Sequence, residues 1–192
     1  DNGGLTTAEG SPTCTLPLRA GKGWNYEAGH RVPWIARAPG RIAAASECDT
    51  PVISPDLYPT LLEMAGVPVP AGQAVDAVSI VPLLTKKGGL PERPLFWHYP
   101  HYSNQGGRPG GAMRSGAYKL VEFFEDSRVE LYDLAADPGE QRDLAAAQPE
   151  RAEKMRKDLA EWRKAVGAQM PTPNPEPVEP FGPKGLPPKP EK

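Results

Sequence analysis

Three observations predict an α/β chain in three stretches. Between residues 95 and 133, four short runs rich in aromatic and branched residues alternate with short turns, the pattern of an antiparallel meander. From about Pro149 to Val166, apolar residues recur at spacings of three and four, as on one face of an amphipathic helix. From Met170 onward proline nearly alternates with other residues, which admits neither a helix nor a central strand. The expected divisions are residues 1–93, a loop-rich portion with short helices; 94–168, a small antiparallel sheet with one helix packed on it; and 169–192, a proline-rich tail.

Residues 1–31 are rich in Gly and Thr with little periodicity, and are expected to be loops. Val32-Pro33-Trp34-Ile35-Ala36-Arg37 reads as a short buried strand, with Pro33 near its start where proline is tolerated. Pro39-Gly40 ends it as a turn. A helix is expected next, with Ser54 as N-cap, Pro55 at the first helical position and Asp56 favourable to the dipole. Leu57, Leu61, Leu62 and Ala65 form its apolar face, and Gly66 stops it. Ile80 to Leu84 is a helical turn or an apolar plug. Leu95 to Tyr99, Ala112 to Arg114, Tyr118 to Phe124 and Val129 to Asp133 are the strand candidates, with turns at Ser115-Gly116 and residues 125–128. In the last helix Ala152, Met155, Leu159, Trp162 and Val166 share a stripe, with Trp162 expected as its largest buried anchor and Gly167 as the stop. The tail is expected to be polyproline II, either solvated or strapped across the body by Phe181.

Composition narrows the function. A net charge of −2 gives no basic footprint for nucleic acid. No apolar run approaches the roughly 18 residues of a membrane span. Two cysteines, Cys14 and Cys48, make no disulfide framework and fit no zinc spacing, and are either bridged or free. No signal peptide is expected at the start of the chain, and since a truncation would remove one, that says nothing about the intact protein.

The chemistry concentrates near the start. Asp1-Asn2 sets a carboxylate beside an amide oxygen, hard donors that suit Ca²⁺, or less well Mg²⁺, rather than zinc. Asn/Asp-Gly is also a turn signal. Lys22, between Gly21 and Gly23, can reach a tetrahedral oxyanion as a point charge. The block Lys22-Gly23-Trp24-Asn25-Tyr26-Glu27-Ala28-Gly29-His30-Arg31-Val32-Pro33-Trp34-Ile35 resembles that of the type I, formylglycine-dependent sulfatases of the alkaline phosphatase superfamily. Further segments are similar to that family's in the same order: Asp56-Leu57-Tyr58-Pro59-Thr60-Leu61-Leu62, Asp76-Ala77-Val78-Ser79-Ile80-Val81-Pro82-Leu83-Leu84, residues 93–101, residues 112–120, and residues 130–140. Ala20, Ala28 and Ala77 replace glycines usual in the family.

The resemblance implies that residues 1–93 are the C-terminal portion of a sulfatase catalytic domain, an alkaline-phosphatase-like sandwich. It places Asp1 and Asn2 on the active-site calcium and Lys22 on the sulfate. The family's nucleophile is a Cys or Ser, oxidised to formylglycine, in a Cys-x-Pro-x-Arg frame. In Cys14-Thr15-Leu16-Pro17-Leu18-Arg19 the Pro and Arg each come one residue late, and the motif lies after the Asp-Asn pair. Formylglycine and the other metal ligands are therefore expected from a missing N-terminal part, and this chain alone is expected to be inactive.

Glu27 and Arg31 suit a bracing ion pair, and His30 a packed or exposed role. His98 and His101 lead into the glycine-rich loop of residues 102–111, where either can contact substrate. Asp137-Pro138-Gly139-Glu140 reads as a turn without chemistry. The expected function is hydrolysis of a sulfated carbohydrate or aryl sulfate, with a phosphomonoester or phosphonate hydrolase, or a non-catalytic binding module, as alternatives. Family habit implies a periplasmic or secreted location. Neither substrate identity nor oligomeric state can be read from the residues.

Overall fold

A computed structural model describes residues 2–6 and 13–173. Asp1 and the tail with Phe181 lie outside the described residues. The ordered elements are α1 (Glu27–His30), α2 (Leu57–Ala65), α3 (Val81–Leu84), β1 (Leu95–Tyr99), β2 (Gly110–Ser115), β3 (Tyr118–Phe123), β4 (Val129–Asp133) and α4 (Pro149–Ala165). The strands form one antiparallel sheet in the order β1-β2-β3-β4, the expected meander.

The register sets two faces. Trp97, Ala112, Val121 and Glu130 stand in one row across the strands. Strand side chains alternate between faces, so Arg114, Lys119, Phe123 and Tyr132 share that side. There they meet Tyr26, Trp24 and Ala20 from the N-terminal loops. The other face carries Met113, Leu120 and Leu131, all buried against Ala152, Met155 and Leu159 of α4. A basic pair on α4 reinforces this face. Arg163 Nη1 lies 2.7 Å and Arg156 Nε 3.1 Å from the Glu122 carboxylate.

The helix α4 starts at Pro149 and ends against Gly167, whose φ of 63° only glycine takes freely. Its deepest residue is Leu159, which is fully buried. Trp162, expected as the buried anchor, instead lies half-buried and flat on Phe96, with ring centroids 4.8 Å apart. Val166 is exposed because the helix has by then passed the sheet edge.

The N-terminal portion departs further from expectation. Residues 32–37 form no strand. Val32, Trp34 and Ile35 are exposed, because no described strand lies alongside to pair with this backbone. Around α2, a 3₁₀ turn at Ser54–Asp56 precedes the helix, and the capping acceptor is Asp56 rather than Ser54. The Asp56 carboxylate accepts from the backbone N–H of Ile53 (2.9 Å) and Val78 (3.1 Å), and is gripped by both terminal nitrogens of Arg93. Thr60 Oγ1 accepts the Ile80 N–H at 2.9 Å. The buried face of α2 is therefore Pro59 and Thr60, and Leu61 is exposed. Asp56 ties residues 78–80 and the approach to β1 onto one helix end. Cys14 and Cys48 are free and exposed, so of the two states open from sequence the structure has the thiols. No helix of the described residues is long and apolar enough to cross a membrane.

Candidate active site

The candidate site is built from three close-packed backbone segments. Residues 2–6 run beside the turn that carries Lys22 and beside α1. Gly3 N–H donates to Gly29 O at 2.8 Å, and Lys22 N–H donates to Gly4 O at 2.9 Å. The approach demands glycine. A Cβ on Gly3 would strike the Ala28 carbonyl, one on Gly29 would strike the Trp24 carbonyl, and one on Gly21 would sit 2.5 Å from Gly4 O. Asn2 is exposed and Lys22 half-buried, and the stitching sets Gly3 and Gly4, which follow Asn2, against α1 and the Lys22 turn.

A second loop closes on the same turn. Trp24 Nε1–H donates to Gln105 O at 3.0 Å, and Gly107 packs directly on the Gly23 carbonyl. Residues 102–107, the glycine-rich loop that follows His101, therefore border the Lys22 turn. His101 itself is exposed, its ring edge-on to Tyr99 at 5.5 Å. His98 is placed elsewhere. It shares the α4 face of the sheet with Phe96, and its Nε2 lies 2.8 Å from Gln169 O in the segment that leaves α4. One residue of strand register separates Trp97, which faces the Lys22 side, from His98, which does not.

Beneath the site lies a charged cluster that the sequence reading did not anticipate. Lys119 is fully buried in β3, with Nζ 3.0 Å from Glu27 Oε1 and 3.1 Å from Glu140 Oε1. Glu140 is also fully buried and accepts the Glu27 N–H at 2.6 Å, so the Asp137–Glu140 segment, a turn as expected, also supports α1. The expected Glu27–Arg31 pair is present at 3.5 Å, alongside Arg114 at 3.6 Å. Burial raises the Glu140 carboxyl above its ordinary value, opposed by the Lys119 charge and the Glu27 N–H. His30 Nε2 lies 3.2 Å from Lys119 Nζ, and its ring packs on Trp97 at 4.4 Å. Burial first, and the Lys119 charge second, push the His30 imidazole down to about 3. It is therefore neutral and accepts from Lys119. The sequence shows only that Lys119 has apolar neighbours and that Glu27 follows the aromatic turn, and nothing in it joins the two.

Nearby, Glu130 accepts from the hydroxyls of Tyr26 (2.8 Å) and Tyr132 (2.7 Å). Burial and these bonds raise both phenols above the ordinary tyrosine range. Arg19 lies over the Tyr26 ring at 3.8 Å, which anchors the start of the loop.

Asn2 is exposed, and its amide oxygen is a hard ligand atom of the type calcium takes. Among the described residues no group of three or more His, Cys, Asp or Glu side chains could hold a metal. A surface cavity of about 600 Å³ lies apart from this site, lined by Arg41, Met64, Gly66, Val81 and Leu84.

Comparison with known proteins gives the family. Residues 20–165 match the family described as N-sulphoglucosamine sulphohydrolase, C-terminal. A sulfatase of Formosa agariphila is 37% identical over 177 residues, covering 84% of this chain and 31% of the relative. The structure of Ps i-CgsB, solved in complex with k-i-k-neocarrahexaose, superposes with a TM-score of 0.71 at 25% identity, over 84% of this chain and 34% of that one. The phosphonate monoester hydrolase SpPMH of Silicibacter pomeroyi superposes at 0.59 and 26% identity, over 76% and 31%. The chain thus spans about a third of the length of the proteins it matches. It belongs to the N-sulphoglucosamine sulphohydrolase C-terminal family and corresponds to the C-terminal part of a sulfatase of the alkaline phosphatase superfamily.

Proposed function

We propose that this chain is the C-terminal part of a sulfuric ester hydrolase acting on a sulfated glycan or aryl sulfate, with Lys22 as its contact to the sulfate group. The observation that carries this reading is the backbone stitching of Lys22 to the Asn2–Gly4 segment, within a family of sulfatases. Sulfate ester cleavage builds negative charge on the bridging and terminal oxygens. A lysine held in a glycine-built turn meets that charge without reorganising, and so stabilises the transition state more than the ground state. Asp1 and Asn2 would hold part of a calcium shell, and when bound that ion would neutralise sulfate charge. The formylglycine nucleophile would come from residues outside this chain. His101, at the head of the loop bordering Lys22, is the proposed substrate contact at the rim. His98, across the sheet, is proposed to hold the segment after α4. The parent protein is proposed to be periplasmic or secreted.

Likeness to a phosphonate monoester hydrolase supports a second reading, since a lysine and a hard metal also suit a phosphorus oxyanion. Assay of the full-length protein against 4-nitrophenyl sulfate and the matching phosphonate monoester separates the two. The sulfatase reading expects the higher kcat/KM on sulfate. Faster turnover of the phosphonate would reverse the assignment.

A further inference from the structure

The helix α1 is four residues long, far below the roughly 12–15 at which an isolated helix becomes even marginal. Yet the candidate site depends on it. Gly29 accepts the Gly3 N–H, and the Ala28 carbonyl abuts Gly3. Gly29 also packs on the Trp24 and Gly21 carbonyls, so one small element sets the relative position of the Asn2 segment and the Lys22 turn. Something outside α1 must hold it.

The holding group is Lys119. Its ammonium reaches the first and last residues of α1 together, Glu27 Oε1 at 3.0 Å and His30 Nε2 at 3.2 Å. Glu140 adds to the grip: its Oε1 pairs with the ammonium as an ion pair at 3.1 Å, without a hydrogen bond, and its Oε2 accepts the Glu27 N–H. Arg31 and Arg114 lie 3.5 and 3.6 Å from the other Glu27 oxygen, but that oxygen has no hydrogen bond, so the directional contact to the Glu27 side chain comes from Lys119. A buried ion cluster is a weak source of stability compared with apolar packing of the same volume, and fixing one geometry is the better-attested use of such groups.

We propose that Lys119 is a positioning residue for Lys22. It acts through Glu27 and His30 to hold α1, and α1 in turn holds the Lys22 turn against residues 2–4. The proposal rests on the reading of Lys22 as the oxyanion contact, and adds that the sheet subdomain sets the reach of that contact. Lys119 itself touches no substrate.

A double-mutant cycle in the full-length protein tests this. Lys119→Met alone is expected to lower kcat/KM by about ten- to a hundredfold, the scale of a misplaced catalytic contact. In a Lys22→Ala background the same change is expected to cost less than about twofold, because the contact it positions is already gone. Combining Lys119→Met with Glu140→Gln removes one charge of each sign and is expected to recover part of the loss. Amide exchange should rise in peptides covering residues 2–6 and 19–31, while β2 and β3 keep their protection. Full additivity of Lys119→Met and Lys22→Ala overturns the proposal. So does unchanged exchange at residues 19–31, or failure of both Lys119 variants to fold, which would make the cluster a general requirement of the core. If Lys22→Ala itself leaves activity intact, the reading of Lys22 fails, and the exchange measurement still decides whether Lys119 holds α1.

Discussion

Ala20 has φ of 60°, in the left-handed region where a Cβ costs about 1–2 kcal/mol and glycine costs nothing. The family's usual glycine at this position thus has a conformational reason, and Ala77, which also replaces a usual glycine, does not share it. Ala20→Gly should stabilise the protein by up to about 1 kcal/mol once glycine's greater unfolded-state entropy is subtracted. A denaturation midpoint that falls instead would show that the Ala20 methyl packs more usefully than its backbone is strained. His30 gives a sharper residue-scale test. Its folded value of about 3 lies below the ordinary 6.5, so between those limits the unfolded chain binds the proton that the folded chain refuses. Stability from this group is full above about pH 6.5 and is lost as pH falls toward 3. The His30 ring resonances should show no titration step between pH 5 and 8, and a step near 6.5 would contradict its packing against Lys119. The Glu27–Arg31 pair was legible from residue type and spacing. Lys119 and Glu140 were not, because their partner lies about a hundred residues away and only the β3 register turns Lys119 inward.

At the scale of elements, period decided what could be read. Strand alternation and turn residues located all four strands, and the three-four stripe located α4 with its Gly167 stop. The same stripe misjudged depth. A helix crossing a small sheet is buried only where the sheet extends, so Leu159 is deepest and Trp162 reaches the edge at Phe96. Leu159→Ala should therefore cost about 2–5 kcal/mol, and Trp162→Ala should fall below the usual range of about 3–5 kcal/mol for a buried aromatic. Urea unfolding of both variants checks the order, and a larger loss at Trp162 would reinstate it as the anchor. Residues 32–37 show the opposite error. Their apolar run reads as a buried strand, but burial requires a neighbour, and among the described residues none stands beside them. The Ser54 cap failed for a local reason: Asp56 can reach the Ile53 N–H and Arg93 at once, and a longer carboxylate bridge outcompetes a serine hydroxyl.

Over the whole molecule, two layers meet at one sheet: α4 on one face, and on the other the loops that carry Lys22 and Asn2. His98 and Lys22 fall on opposite sides, a separation that a linear motif cannot show and a two-residue period can. Cys14 is exposed and stands outside a Cys-x-Pro-x-Arg frame, so residues 1–192 alone should not turn over an aryl sulfate. Activity in the isolated chain that disappears with Cys14→Ala would make that thiol the nucleophile after all. The central claim is that Lys22 meets the sulfate group, and it is tested most directly by kcat/KM of the full-length enzyme with and without Lys22→Ala. The arrangement predicts a loss of about two to three orders of magnitude, the scale for removing one positioned electrostatic donor, with the melting temperature little changed. Activity within about twofold of the unsubstituted enzyme would place Lys22 away from the sulfate and contradict the site.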